Sequence, residues 1–135
     1  RRGLLCQSLL LAILAALSLQ REPPAPVLSA GRLWWEAEAW FRQRIERPVS
    51  LDELAAPIQR SPNTLARACR EAVGQPPMRR LKGVRLSLAR GLVHYSELNM
   101  TEIARRAGYG RVHEFSRDYR KAFGCPPTQD RAARS

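Results

Sequence analysis

The chain has little cysteine, less histidine and about half as many acidic as basic residues: 3 Cys, 2 His and 12 Asp+Glu stand against 23 Lys+Arg in 135 residues. Cys6, Cys69 and Cys125 are odd in number and widely spaced, with no CxxC pair, and only His94 and His113 could add nitrogen ligands. The sequence therefore offers no zinc site, no resident metal and no disulfide framework. Free thiols of this kind suit a reducing cytoplasm. Long apolar runs are also missing. The best, Leu4 to Leu19, is interrupted by Gln7 and Ser8 and falls short of the ~20 residues of a spanning helix. Its surroundings, RRGLLCQSLLLAILAALSLQREPPAP, nevertheless have the layout of a secretory signal: basic start, apolar middle, then small residues and prolines.

What the chain does have is positive charge at one end. The net charge is +11, with 44% hydrophobic residues to supply a core. Arg1 to Gln59 holds 7 basic and 6 acidic residues, whereas Arg60 to Ser135 holds 16 basic and 6 acidic. Such asymmetry points to a polyanionic partner, most often nucleic acid and sometimes an anionic membrane.

The basic part is built from a repeat. SLDELAAPIQRSPNTLARACREAVGQPP (50–77) is matched by NMTEIARRAGYGRVHEFSRDYRKAFGCPP (99–127). Glu53 and Ala55 align with Glu102 and Ala104 at an offset of 49. One extra residue in the second turn makes the offset 50, aligning Arg67, Arg70, Gly74 and Pro76–Pro77 with Arg117, Arg120, Gly124 and Pro126–Pro127. Each copy predicts two short helices. Ser50 with Glu53 forms a capping box, Asn99 with Glu102 offers the related Asn version, and Val49/Leu54 and Leu98/Ile103 stand at staple positions. Chain breaks follow at Gln59–Arg60 and Gly108–Tyr109–Gly110. Ser61 then caps a helix with Pro62 at its first position, and Gly74 and Gly124 suit left-handed C-caps. One copy alone could be an ordinary helical hairpin. Two copies, both with a basic second helix, predict tandem helix-turn-helix units.

Between the copies, Leu81, Val84, Leu88, Leu92 and Tyr95 recur at helical spacing, with Arg79, Lys82 and Arg90 on the other face. A linking helix over 77–96 would span about 27 Å from Pro77 to Tyr95, the scale of a spacer between recognition helices set one DNA turn, about 34 Å, apart. Upstream, Trp34, Trp35 and Trp40 fall in a helix predicted from Gly31 to about Arg44, with Trp40 under the first unit and Trp34 or Trp35 turned toward a partner surface.

From Leu33 to Arg131 the chain resembles the DNA-binding domain of the AraC/XylS family of bacterial transcription regulators. The resemblance is carried by Ile103–Ala104, Gly108–Tyr109, Phe115–Ser116–Arg117, Tyr119–Arg120–Lys121, Phe123–Gly124 and Pro127, with Arg85–Leu86 and Ala89 in the linking helix. It implies an all-α fold: two helix-turn-helix subdomains (50–77 and 99–127) joined by a long helix (77–96), recognition helices at 61–73 and 111–123 entering successive major grooves, and no enzyme activity. The positions matching the family's base readers are Asn63, Ala66 and Arg67 in the first unit and Val112, His113, Glu114 and Arg117 in the second. Asn63 can pair with adenine, Arg67 and Arg117 can fork onto guanine, and Glu114 can accept from cytosine. Arg60, Thr64, Arg70, Arg111, Arg120 and Lys121 are placed to hold phosphates. Arg67 and Arg117 have other options, the DNA backbone or an ion pair with Glu71 or Glu114. His113 beside Glu114 lacks the nucleophile or metal partner that catalysis requires.

Two residues depart from the family pattern. Pro57 falls inside the first helix of the first unit, a cost of ~3 kcal/mol if unrelieved. Cys69 stands where the family usually has an aromatic. With Ala66 unable to donate a hydrogen bond, the second unit is expected to supply most of the specificity.

The resemblance also implies a preceding regulatory domain. The signal-like segment is then the last core or dimerisation helix of that domain, and 21–31 a proline-rich linker, so that residues 1–30 belong to the preceding region and 31–131 to the DNA-binding domain. The resulting expectation is a cytoplasmic, nucleoid-associated regulator, an activator as most of the family are, with double-stranded DNA and RNA polymerase as partners, a homodimer through the N-terminal region, no membrane and no cofactor. Two alternatives stand beside it: an architectural DNA binder without sequence preference, and a secreted cationic membrane-active protein if residues 1–20 are a true signal peptide.

Overall fold

In the computed structural model, residues 26–134 are described, and every regular element among them is helical. Helix α1 is Pro26–Arg42, α2 Leu51–Ala55, α3 Pro62–Val73, α4 Pro77–Tyr95, α5 Met100–Arg106, α6 Val112–Phe123 and α7 Pro127–Arg134, with a 3-10 turn at Ala56–Ile58. The apolar segment Leu4 to Leu19 lies outside the described residues. Among those described, no helix is long and apolar enough to cross a membrane.

Local sequence sets most helix ends. Ser50 accepts from the Glu53 amide while Glu53 reaches back to the Ser50 amide, closing the capping box at α2. Ser61 caps α3 through the Thr64 amide, and Pro62 begins the helix where its missing N–H costs least. Gly74 (φ 74°) and Gly124 (φ 83°) end α3 and α6 in the left-handed region that glycine enters freely. Asn99 makes only half of the expected box: it accepts from the Glu102 amide, but the Glu102 carboxylate turns to Arg105 and Arg106 instead.

The sequence-based account of Pro57 needs correction. The α-helix stops at Ala55, and Pro57 sits in the first turn of the 3-10 segment, so it opposes no α-helical hydrogen bond. The turn closes with Gln59 left-handed at φ 57°. Helix α1 also starts earlier than expected. Pro26 occupies its first position, so residues 26–31 are helical rather than part of a linker, and the expected boundary at 30/31 falls inside a helix.

Two cores form, and α4 feeds both. The first gathers Trp34, Ala37 and Phe41 of α1 with Leu54, Leu65, Cys69, Leu81 and Val84. The second gathers Leu86, Ala89 and Val93 of α4 with Ile103, Ala104, Ala107, Phe115 and Tyr119. The tryptophans follow the expectation in part: Trp40 packs half-buried on the first core and Trp35 is the one exposed, while Trp34 is fully buried within that core. Trp34 and Phe41 share a core with Cys69, so α1 brings aromatic bulk to the unit whose recognition helix lacks it; an aromatic of this size contributes roughly 1.5–3 kcal/mol when fully buried. The buried stripe of α4 also differs. Leu88 and Tyr95 are exposed, Tyr95 at 74%, while Leu86, Ala89 and Val93 are inside. The helix turns one face to the first unit and another to the second, so no single stripe runs its length.

Buried charge is paired. Glu38 on α1 is 3% exposed and receives Arg80 Nε of α4 at 2.6 Å and Arg42 Nη2 at 3.3 Å. Burial alone would raise its pKa, but the two guanidiniums outweigh that and hold it below the usual carboxylate range.

Helix α7 extends past the expected end near Arg131. Arg131 donates to the carbonyls of Leu92, Val93, Ser96 and Leu98, covering the C-terminal end of α4 and the loop after it. The repeat contains the signal for this helix: Pro126–Pro127 correspond to Pro76–Pro77, and Pro77 opens α4.

Candidate nucleic-acid interface

Helices α3 and α6 each bury one side and expose the other. On α3, Leu65, Ala68 and Cys69 face the core, while Asn63, Arg67 and Arg70 recur at three and four residues on the exposed side, with Arg60 just before the helix. On α6, Phe115 and Tyr119 are buried, while His113, Arg117 and Arg120 occupy the equivalent outward positions and Glu114 and Lys121 lie beside them. Arg111 is the exposed N-cap residue of α6 and makes no side-chain cap. The structure thus gathers these residues on two outward helix faces.

Two of the expected contacts are less open, and the hydroxyl of a third, exposed one is engaged within the protein. Ala66 is half-buried. Val112 is half-buried against the second core. The Thr64 hydroxyl lies 2.8 Å from Ser61 Oγ, within the cap of α3.

The pairing of the cations separates them into two groups. Arg80, Lys82, Arg90, Arg105 and Arg106 pair with carboxylates. Arg85 and Arg131 bind main-chain carbonyls, and Arg134 donates to the Tyr95 hydroxyl. Arg32, Arg42 and Arg47 pair with acids, and Arg44 donates to the Trp40 carbonyl. Among the described residues, the cations whose side chains have no ion pair or hydrogen bond are those of Arg60, Arg67, Arg70, Arg79, Arg111, Arg117, Arg120 and Lys121. No bridge joins Arg67 to Glu71 or Arg117 to Glu114, which removes the ion-pair option for both. Like charges gathered on one helix face repel one another, a cost that an opposing polyanion relieves.

Arg79 is the member of this set that sequence reasoning left out of the contacts. It lies on α4 with Lys82, along a groove whose other wall holds Asp118, Lys121 and Ala122 of α6. Its outward register on a basic helix was visible. That its neighbours Arg80 and Lys82 would be neutralised and Arg79 left free was not. A second open depression is lined by Ser116, Arg117, Arg120, Lys121 and Pro126. Among the described residues, no three His, Cys, Asp or Glu side chains converge as a metal site requires.

Behind the face, polar contacts hold α6 in place. The Tyr109 hydroxyl donates to Asp118 at 3.0 Å, and Lys82 Nζ lies 3.5 Å from the same carboxylate. Burial and the adjacent carboxylate both raise the Tyr109 pKa, keeping the phenol a donor. Burial pushes the Cys69 thiol up to about 11, so it packs as an apolar group.

Comparison with known proteins agrees with this arrangement. A helix-turn-helix domain family matches residues 54–133. The HTH-type transcriptional activator RhaS of Klebsiella pneumoniae is 34% identical over 96 residues, covering 71% of this chain and 34% of RhaS, so the chain spans about a third of that relative's length. A transcriptional regulator from Chromobacterium violaceum with an AraC-type DNA-binding domain superposes with a TM-score of 0.74 at 27% identity, covering 80% of this chain and 96% of that one. The DNA-binding domain of the global transcriptional factor AdpA, solved in complex with a target DNA, gives a TM-score of 0.70 at 27% identity, with 74% and 90% covered. These matches describe a family of regulators, not of enzymes, with two helix-turn-helix units in one domain. The chain belongs to the AraC/XylS family of transcription regulators, and residues 54–133 are its helix-turn-helix domain.

Proposed function

We propose that the chain is a DNA-binding transcription regulator that lays α3 and α6 into successive major grooves of one duplex and reads sequence with both. One observation supports this reading: among the described residues, the cations whose side chains lack a protein partner concentrate on or beside the two recognition helices, with Arg79 of α4 the one exception, while the other described cations are paired. In this reading Asn63, Arg67, His113, Glu114 and Arg117 contact bases, joined at the edges by Ala66 and Val112. Arg60, Thr64, Arg70, Arg111, Arg120 and Lys121 hold phosphates and set the register, and Arg79 joins them from α4.

The second unit supplies the larger share of specificity. It presents His113, Glu114 and Arg117 together, whereas Asn63 and Arg67 in the first flank the methyl side chain of Ala66. Activation of transcription follows the example of RhaS, whose name gives its role as an activator; in this reading the chain acts in the cytoplasm, contacts RNA polymerase and forms a homodimer through the N-terminal region.

The test is the ratio of affinities for a selected site and for random duplex at near-physiological salt. A ratio of about 10³ or more supports sequence reading. A ratio near one, with the same steep salt dependence on both, means that charge alone drives binding and that the protein is an architectural binder.

A further inference from the structure

Arg85 joins the two units. It leaves α4 at the point where the helix passes from one core to the other, between Val84 and Leu86. Its Nη1 donates to the carbonyl of Ile45, in the loop between α1 and α2, and to the carbonyl of Ala107 at 3.0 Å, at the end of α5. Its Nη2 donates to the Arg47 carbonyl at 3.0 Å, and the guanidinium stacks on the Phe41 ring. One rigid fork therefore satisfies carbonyls of both units at once, two from the first and one from the second. A lysine, with one nitrogen on a flexible stem, could not reproduce that geometry.

Gly108 gives an independent sign of how tightly this joint closes. A Cβ at Gly108 would collide with the Arg85 guanidinium and the Ile45 carbonyl. The internal repeat supplies a control. Gln59 holds the corresponding place in the first unit and is also left-handed, at φ 57° against 87° for Gly108. A side chain is thus tolerated in that conformation where nothing presses on it. At Gly108 the first unit's loop and Arg85 leave no room. Arg105 of α5 adds a weaker link, 3.6 Å from Glu46 in the same loop.

We propose that Arg85 is a positioning residue that locks the mutual orientation of the two recognition helices and so fixes the spacing of the two half-sites the protein accepts. The proposal rests on the tandem-reading function above. Two linked binding units gain affinity only when both can engage together, by a factor on the order of 10²–10⁴, and a stiff connection confines that gain to one spacing. Loosening the joint leaves each half-site contact in place but lets the units adapt to wrong spacings.

The experiment uses the whole chain as wild type, Arg85→Lys and Arg85→Met. Binding is measured to a selected bipartite site and to versions with one or two base pairs inserted or removed between the half-sites. The wild type should lose at least about tenfold in affinity per altered spacing, within the range a lost second engagement allows. Both variants should bind single half-sites within about threefold of wild type but show a flattened spacing profile. If Arg85→Met fails to fold, Arg85→Lys, which keeps charge and stem, carries the test.

A second readout needs no DNA. Spin labels on cysteines placed at Glu71 and Ala122, with Cys6 and Cys125 changed to serine and buried Cys69 left in place, report the distance between units. That distribution should be narrow in the wild type and broaden on Arg85→Met. An unchanged spacing profile in variants of a wild type that does select bipartite sites overturns the role of Arg85 alone. A wild type that selects no sequence overturns the tandem-reading function and the spacing role with it.

Discussion

The Tyr119 hydroxyl donates to Asp130, joining the second recognition helix to the helix after it. His94 Nε2 and Arg90 Nε of α4 approach the same carboxylate at 3.0 and 3.4 Å. The Tyr119 bond is the foremost of the contacts that hold the Asp130 carboxyl below its usual range. In the first unit Cys69 takes the place of Tyr119 and Arg80 that of Asp130, so the tie is rebuilt differently, through the bond of Arg80 to Glu38 on α1.

Tyr119→Phe removes the donor and leaves the ring. A hydrogen bond to a charged group is worth about 1.5–3 kcal/mol. Because His94 and Arg90 remain on Asp130, the expected loss is near 1.5 kcal/mol, read by urea unfolding. An unchanged midpoint would mean that the contact contributes nothing.

Gly108 and Gln59 should respond oppositely to a change at Cα. Gly108→Ala adds a methyl group where Arg85 and Ile45 already press, at positive φ, and should cost more than about 2 kcal/mol. Gln59→Gly relieves a left-handed side chain but frees the unfolded backbone, and should be within about 1 kcal/mol of neutral. Equal effects would mean that φ alone matters at both sites.

Acid should weaken the second unit through Glu102. Hydrogen bonds from Arg105 and Arg106 bring its carboxyl from the ordinary 4.5 down to about 2. A depressed carboxyl stabilises the fold fully above the unfolded value, and that contribution fades as the pH falls from 4.5 toward 2. Thermal melts across this window should show a smaller pH-dependent loss for Glu102→Gln than for the wild type.

Base and phosphate contacts should separate by specificity. Arg117→Ala should cost about 1–3 kcal/mol on a selected site and relax the preference at one position, while Lys121→Ala should weaken all duplexes alike and lower the salt slope by about one. Arg67→Ala should cost less on the selected site than Arg117→Ala. Equal losses would contradict the larger share given to the second unit.

Features written within a few residues were legible in the sequence. The Ser50–Glu53 box, the Ser61 cap with Pro62 and the glycine stops at Gly74 and Gly124 depend on neighbours in the chain, and the repeat repeated that grammar. What depended on distant packing was not legible. The exposure of Leu88 and Tyr95 follows from α4 serving two cores, which helical periodicity alone does not reveal. The full burial of Trp34, deeper than that of Trp40, follows from how α1 lies on α3. Pro57 looked like a defect because nothing local announces a change from α to 3-10 turn. Lys82 and Arg90 looked as free as Arg79 until Asp118 and Asp130 met them from other helices. The helix after Pro127 does have a signal in the sequence, because Pro126–Pro127 correspond to the Pro76–Pro77 pair that opens α4.

The most direct test of tandem groove reading is selection of bound duplexes from a random library at near-physiological salt, where counterion release does not swamp base contacts. Two short motifs enriched about one helical turn, roughly 10 base pairs, apart are the result expected of two recognition helices held on one rigid domain. Selection that enriches no sequence would contradict it.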